Sequence, residues 1–314
     1  MIGGDRRPAE ADLAELRELA VEVAYRMLGS RTEAEDVAQE ALERVRGVID
    51  RAGVADGAVD GRGHGDGEDE EPVRNPAAYT TTVTTRLAID HLRSARVRRE
   101  QYVGPWLPEP IQGVSSADPA AAAELGDSLS FAMLVVLESL GPDERAAFLL
   151  HDTFGYGYDE LATVLDRSPA ACRKLVSRAR QRIAARRPRV ATDRDEHREV
   201  LDRFIVAARS GDLDQLVALL APETVLIADG GASLKSARHP IRGRERVARF
   251  LASIGPRLFV AGEISFEDVN GEVGLVVREQ GEVVLVGAAE VDAGLISAIR
   301  WVRNPDKLRW FDPS

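Results

Sequence analysis

The chain has 314 residues, enough for two or three domains, with 44% hydrophobic residues to build cores and 30% charged residues to keep them in water. Its formal net charge is -11, so binding to nucleic acid through overall positive charge is excluded; any such contact must be local or made with a partner's help. Cys172 is the only cysteine, which excludes a disulfide framework and a thiolate metal site, and the lack of a long apolar run or a leader-like N-terminus predicts a cytoplasmic protein with no membrane contact.

Leu13, Leu16, Ala20, Val23 and Met27 repeat at three and four residues, an amphipathic helix closed by Gly29. Thr32-Glu33-Ala34-Glu35 matches a capping box for a second helix, with Ala34, Val37, Ala38, Ala41, Leu42 and Val45 on its buried stripe. Glu35, Asp36, Gln39, Glu40 and Glu43 line the outer side; taken alone, they read as solvated surface. Residues 51–72 then alternate Gly with Asp and Glu and offer few apolar groups, which predicts a mobile inserted loop.

Asn75-Pro76 starts a third helix. The β-branched run Thr80 to Thr85 favours strand locally, but Tyr79, Val83 and Leu87 at steps of four and Arg86-Asp90 at i, i+4 favour helix. Threonine hydroxyls read as exposed beside Arg86, Arg93, Arg96, Arg98 and Arg99 suit a nucleic-acid strand; arginines closing a helix are the plainer alternative. Pro105, Pro108 and Pro110 make residues 102–118 a stiff linker, in which Trp106 and Leu107 are apolar enough to require a docking partner.

A helix carrying Leu129, Met133, Val136 and Leu140 leads into a helix-turn-helix pattern. Gly141-Pro142-Asp143 starts its first helix, Gly155 and Gly157 break the chain, and a short helix follows over 158–165. Ser168-Pro169 is an N-cap followed by an N1 proline, and Cys172, Leu175, Val176, Ala179 and Ile183 form the inward stripe of the last helix. No acidic residue lies between Arg167 and Arg189, a span holding nine arginines and lysines. Solvated helix faces mix signs, so this one-signed run favours phosphate contact, with Arg173, Lys174, Ser177 and Arg178 placed to enter a major groove.

Beyond Pro188 the pattern becomes α+β. Helices are predicted over 196–209, 213–220 and 244–254, and strands over 225–228, 264–269, 273–279, 283–290 and 295–302, with hairpin turns at Asn270-Gly271 and Gln280-Gly281. Three helices against a curved antiparallel sheet form a separate domain.

The first 185 or so residues resemble a bacterial sigma factor of the extracytoplasmic-function (ECF) group. Ala24-Tyr25-Arg26-Met27-Leu28-Gly29 followed by Glu33-Ala34-Glu35-Asp36-Val37-Ala38-Gln39-Glu40 looks like the polymerase-binding part of sigma domain two. The resemblance implies contact between Asp36, Gln39 and Glu40 and the β′ subunit of core RNA polymerase. It also implies capture of the −10 strand by the 75–99 segment, with Arg86, Arg93, Arg96, Arg98 and Arg99, and reading of the −35 element by the helix-turn-helix as domain four. The Asp/Gly-rich insertion and Arg86, where the family often has Asn, depart from the pattern. Trp106-Leu107-Pro108-Glu109-Pro110, Asp229-Gly230-Gly231 and Asn304-Pro305-Asp306-Lys307-Leu308 are similar to signatures of an ECF subgroup with a fused SnoaL-like domain. These motifs imply an interdomain regulatory role for the residues named.

The implied fold class is multidomain: two all-α sigma domains, the second a helix-turn-helix, followed by an α+β SnoaL-like cone-shaped barrel. The boundaries are 8–100 for domain two, 101–124 for the linker, 125–187 for domain four and 196–314 for the SnoaL-like domain. The implied partners are core RNA polymerase, through its β′ and β subunits, and promoter DNA. No cofactor or metal is called for, and no separate anti-sigma protein. Trp106-Leu107 is expected to pack near Asn304 to Leu308.

Two other functions compete. SnoaL-like cones host enzymes with paired acid and base groups, for which Asp229 and His239 are the nearest candidates, with His197 read as solvent-facing; an Asp beside a Gly-Gly turn more often fixes the turn, and a non-enzymatic role is preferred. A ligand-sensing regulator that uses only the helix-turn-helix is the other.

Overall fold

The computed structural model describes residues 8–52, 73, 75–113, 130–185, 194–232 and 236–311; the side chains of residues 8–12 and 95–100 lie outside the description, as do the predicted acidic insertion from residue 53 onward and Leu129. The described residues form two compact units that cut across chain order. The first takes residues up to Ala95 together with Pro142–Arg178, and the second takes Arg96–Gly141 together with Ala179 onward.

In the first unit, α1 (Pro8–Leu28) and α2 (Arg31–Ala52) form an antiparallel hairpin. Gly29 turns between them with a positive φ, and Ser30 Oγ accepts the Glu33 amide, so the cap falls two residues earlier than Thr32. Ala20, Val21 and Ala38 meet in the seam. Helix α3 (Pro76–Glu100) confirms the helical reading of its threonine run but corrects their exposure. Thr80, Thr81, Thr84 and Thr85 are buried. They share inward stripes with Ala88, Ile89 and Leu92, so their methyl groups pack while Tyr79, Val83 and Leu87 stay half-buried.

The helix-turn-helix begins with α5 (Pro142–Phe148), which runs into a π turn at Leu149–Thr153. Gly155 at φ 72° then reverses the chain, a left-handed step that glycine takes without steric cost. Helix α6 (Tyr158–Leu165) starts with the Gly157 amide donating to Glu160 Oε2 at 2.7 Å, and α7 (Pro169–Ala184) starts with Ser168 Oγ accepting the Ala171 amide at 3.2 Å. Ala147, Leu150, Leu161, Val164, Cys172 and Val176 form the core between them.

In the second unit, α8 (Arg194–Ser210), α9 (Leu213–Leu219) and α10 (Arg244–Ala261) cover one face of a six-stranded sheet. The strands are β1 (Leu220–Asp229), β2 (Ile241–Arg242), β3 (Glu263–Val269), β4 (Glu272–Glu279), β5 (Glu282–Asp292) and β6 (Leu295–Val302), in the order β2-β1-β6-β5-β4-β3. The sheet is mixed rather than antiparallel throughout, because β6 returns from the β3–β5 meander to lie parallel to β1. Helix α10 continues past Pro256 to Ala261, farther than predicted. At the preceding position only a glycine fits: a Cβ on Gly255 would come within 2.2 Å of the Ala208 carbonyl oxygen of α8. The opposite face of the sheet is covered by Leu107 of the linker, Phe131 and Val135 of α4 (Phe131–Leu137), and Leu308 and Phe311 around α11 (Pro305–Leu308).

Candidate nucleic-acid interface

Helix α7 separates its two sides cleanly. Cys172 and Val176 point into the core, and burial pushes the Cys172 thiol up despite the opposing charge of Arg167. Arg173, Lys174, Ser177 and Arg178 are all exposed. The Arg173 guanidinium lies 5.1 Å from the Tyr158 ring centroid, and His151 stacks on the same ring at 4.4 Å, so α6 supports the base of the basic face.

The other predicted sites are arranged differently. Asp36, Gln39 and Glu40 are exposed on one side of α2, with Gln39 donating to Glu43 and Glu40 paired with Arg44 at 2.6 Å. A shallow groove of about 400 Å³ beside them is lined by Leu13, Leu42, Asp36 and Gln39. Arg86 of α3 is exposed, but its Nε and Nη2 donate to the Val164 and Thr163 carbonyls at 2.9 and 2.7 Å. Arg93 bonds Asp90 and Asp143. Arg96, Arg98 and Arg99 lie on the last turns of α3, with their side chains outside the described residues.

In the second unit the structure brings the linker motif together with both C-terminal motifs. Asp229, at the end of β1, is fully buried. Its Oδ1 accepts Tyr102 Oη at 2.6 Å and the Gly231 amide at 3.1 Å; its Oδ2 accepts the Leu107 amide at 2.9 Å and Lys307 Nζ at 2.7 Å. Lys307 also donates to the Leu107 carbonyl, and its ammonium lies 4.0 Å from the Trp106 ring and 5.0 Å from the Tyr102 ring. Burial, then the bond to Asp229, drives the Tyr102 hydroxyl well above the usual phenol range, so it stays a donor. Asn304 caps α11 by accepting the Asp306 amide and donates to Tyr102 Oη at 2.8 Å. Gly231, at φ 60°, leaves room for it: a Cβ there would stand 2.8 Å from Asn304 Nδ2. Pro108 is buried beside Leu107, Gly230 lies buried in the turn, and Pro305 and Asp306 form the first turn of α11.

Sequence reasoning missed a second hold on the linker. Gln112 forms an antiparallel bridge with Val269 at the outer edge of β3. The Gly113 amide donates to the Asp268 carbonyl, the Asn270 amide to the Ile111 carbonyl, and the Ile111 amide to Asn270 Oδ1. Asn270-Gly271 was legible as a hairpin turn; its side-chain reach to the linker was not.

The acid–base pair considered for the C-terminal domain is not assembled. Asp229 is buried with both oxygens occupied, whereas His239 is exposed. His197 is corrected from solvent-facing to half-buried: it faces β5, burial lowers its pKa against an opposing bond to the Ala289 backbone, and its Nε2 is enclosed. Between sheet and helices, Phe259 meets Trp301 edge-on at 5.9 Å among Leu226, Leu285 and Ile299. Among the described residues, no helix is long and apolar enough to cross a membrane, and no acid, His or Cys cluster could hold a metal.

A helical hairpin, a helix-turn-helix with a basic, exposed outer face and a following mixed-sheet domain are the arrangement of a sigma factor with a C-terminal extension. Residues 130–183 match the family model "Sigma-70, region 4". The chain is 37% identical over 306 residues to the ECF RNA polymerase sigma factor SigJ of Mycobacterium tuberculosis, covering 93% of this chain and 91% of that one. The crystal structure of that sigma factor superposes with a TM-score of 0.68 at 35% identity, covering 95% of this chain and 97% of the other. The probable sigma factor SigI of the same species is 37% identical over 217 residues, 68% of either chain. The chain belongs to the ECF RNA polymerase sigma factors. Helical sigma domains followed by a C-terminal mixed-sheet domain are its fold class.

Proposed function

We propose that this ECF sigma factor docks on core RNA polymerase through Asp36, Gln39 and Glu40 of α2 and reads a promoter at two points. Exposed Arg173, Lys174, Ser177 and Arg178 enter the major groove at the −35 element, arginine taking a guanine edge and the other basic groups holding phosphates. Helix α3, with Arg86, Arg93, Arg96, Arg98 and Arg99, meets the displaced −10 strand. The observation that carries this reading is the one-signed, exposed outer face of α7 on a net-acidic chain, the local positive surface that phosphate contact requires.

The C-terminal domain tunes this activity rather than catalysing a reaction. Its best candidate acid, Asp229, is committed to four donors, and Phe259 and Trp301 pack edge-on in the core between sheet and helices. By holding Trp106, Leu107 and Gln112, it sets the path of the linker that joins the two promoter-reading parts. The protein acts in the cytoplasm without requiring a separate anti-sigma protein. Run-off transcription with core polymerase tests this by comparing the full chain with one ending at Arg187. Both should give the same promoter-specific start at different yields, whereas equal yields would remove the tuning role and absence of a specific start would remove the sigma role.

A further inference from the structure

Of the four exposed candidates on α7, Arg173 is the one whose side chain rests on a partner among the described residues. Its guanidinium lies 5.1 Å from the ring centroid of Tyr158, the first residue of α6. Arg173 also stands nearest the start of α7, the part of a recognition helix that meets base edges. The break between α5 and α6 builds the support beneath it. In the π turn at Leu149–Thr153 the Phe154 amide reaches back five residues to the Leu149 carbonyl at 3.0 Å, and the Tyr156 amide then bonds the Leu150 carbonyl at 2.9 Å. With the left-handed step at Gly155, this folds the chain so that the Tyr156 carbonyl meets His151 Nδ1 at 2.8 Å. A carbonyl only accepts, so Nδ1 carries the proton and donates it there, which fixes the tautomer and the ring. The held imidazole lies 4.4 Å from the Tyr158 ring centroid, tilted by 34°.

The stack restrains an otherwise free side chain. An arginine on a helix surface samples many rotamers and must give them up on binding, and a guanidinium already held by a ring gives up fewer. Such a restraint acts unequally on the two kinds of contact an arginine makes with DNA. A phosphate accepts a donor from a range of directions, whereas a guanine edge takes the guanidinium fork in one plane through O6 and N7. Holding Arg173 therefore favours base choice over contact with the backbone.

We infer that Tyr158 and His151 are positioning residues for the −35 contact: they hold Arg173 in the arrangement that takes one guanine edge, and so set base preference without reading a base themselves. This rests on the assignment of α7 as the −35 reader. His151 acts through Tyr158, and Tyr158 acts through its ring rather than its hydroxyl.

The test uses the full chain assembled with core polymerase and a set of promoters in which each base pair of the −35 element is changed in turn, with affinity measured for each. Arg173→Ala should flatten the preference at one base pair, which marks the position Arg173 reads. Tyr158→Leu should lower the preference at that same base pair about two- to fivefold, the worth of one exposed cation–π contact, and leave the other positions unchanged. Tyr158→Phe keeps the ring and should keep the preference. His151→Leu removes the hydrogen bond that holds the stack and should shift the preference in the same direction by a smaller factor, which also serves if Tyr158→Leu folds poorly. Added to Arg173→Ala, Tyr158→Leu should have no further effect at that base pair. A loss spread equally over all base pairs would mean a role in folding or phosphate contact, and Tyr158→Phe as damaging as Tyr158→Leu would move the role to the hydroxyl. Either result overturns the positioning role, as does a preference unchanged in both Tyr158→Leu and His151→Leu. Arg173→Ala with every preference intact would instead remove Arg173 from promoter reading, and the role of both supports with it.

Discussion

Replacing Asp229 with asparagine keeps the shape of the side chain and removes its charge, which isolates what the buried carboxylate does. In the parent protein, Asp229 is 0% exposed and Lys307 is 5% exposed. The Asp229→Asn variant would deprive the ammonium of this counter-ion and turn an NH2 group toward donors already present, either Tyr102 Oη and the Gly231 amide or the Leu107 amide and Lys307. Breaking a buried ion pair by removing one partner costs about 3–5 kcal/mol. If that cost falls on the linker clasp, its open fraction rises between roughly a hundredfold and a few thousandfold. Amide hydrogen exchange at Leu107 reads this directly, because its N–H bonds Asp229 Oδ2 at 2.9 Å. Exchange at Val286, in the same sheet, should stay slow, separating clasp opening from unfolding of the domain. Adding Lys307→Met should recover part of the loss, since removing both charges leaves none stranded. Unchanged Leu107 exchange in Asp229→Asn, or a double variant worse than the sum of the single ones, would refute the assignment of this network as a charged clasp.

Gly231→Ala puts a methyl group against Asn304 at a positive φ and should lower stability by about 1–2 kcal/mol, read as a lower melting temperature. Burial holds the His197 pKa below its ordinary value of 6.5, so the unfolded chain binds more protons just below that pH. Stability of the C-terminal domain should therefore be full above pH 6.5 and fall as pH drops through the window beneath it; denaturant titrations from about pH 7.5 to 5.5 should show this slope, and His197→Phe should flatten it. Lys174→Ala should weaken promoter binding by the polymerase complex similarly at all sequences and lower the slope of log affinity against log salt by about one, while Arg178→Ala should lose more on the specific site than on random DNA. Asp36→Arg should reduce association with core polymerase about tenfold without changing the melting temperature, measured by surface-immobilised binding.

What the chain revealed before folding follows the range of the interactions. The start of α7 was legible because Ser168-Pro169 acts within one turn, and Gly155 because a left-handed step has few alternatives to glycine. The turns at Asn270-Gly271 and Gln280-Gly281 were readable for the same reason, whereas Ala293-Gly294, with the same pair of positive φ values, has an apolar residue in place of the polar one before its glycine. The β1–β6 parallel pairing joins segments some seventy positions apart, and no local pattern encodes it. The threonines of α3 were misjudged because a β-branched hydroxyl residue carries a methyl group that packs in a core as readily as its oxygen meets solvent. The exposure of Arg173, Lys174, Ser177 and Arg178 on α7 could be read from charge and stripe alone. The engagement of Arg86 could not, since a guanidinium suits a phosphate and a helix-terminal carbonyl equally well and only tertiary packing selects between them.

The central claim is that this chain is a subunit of the transcription machinery, and holoenzyme assembly tests it most directly. Purified full-length chain mixed with core RNA polymerase should co-sediment as one complex and protect a promoter at both the −35 and −10 elements against hydroxyl-radical cleavage. A chain that sediments apart from the polymerase, or a complex whose footprint is the same with and without the chain, would contradict the account.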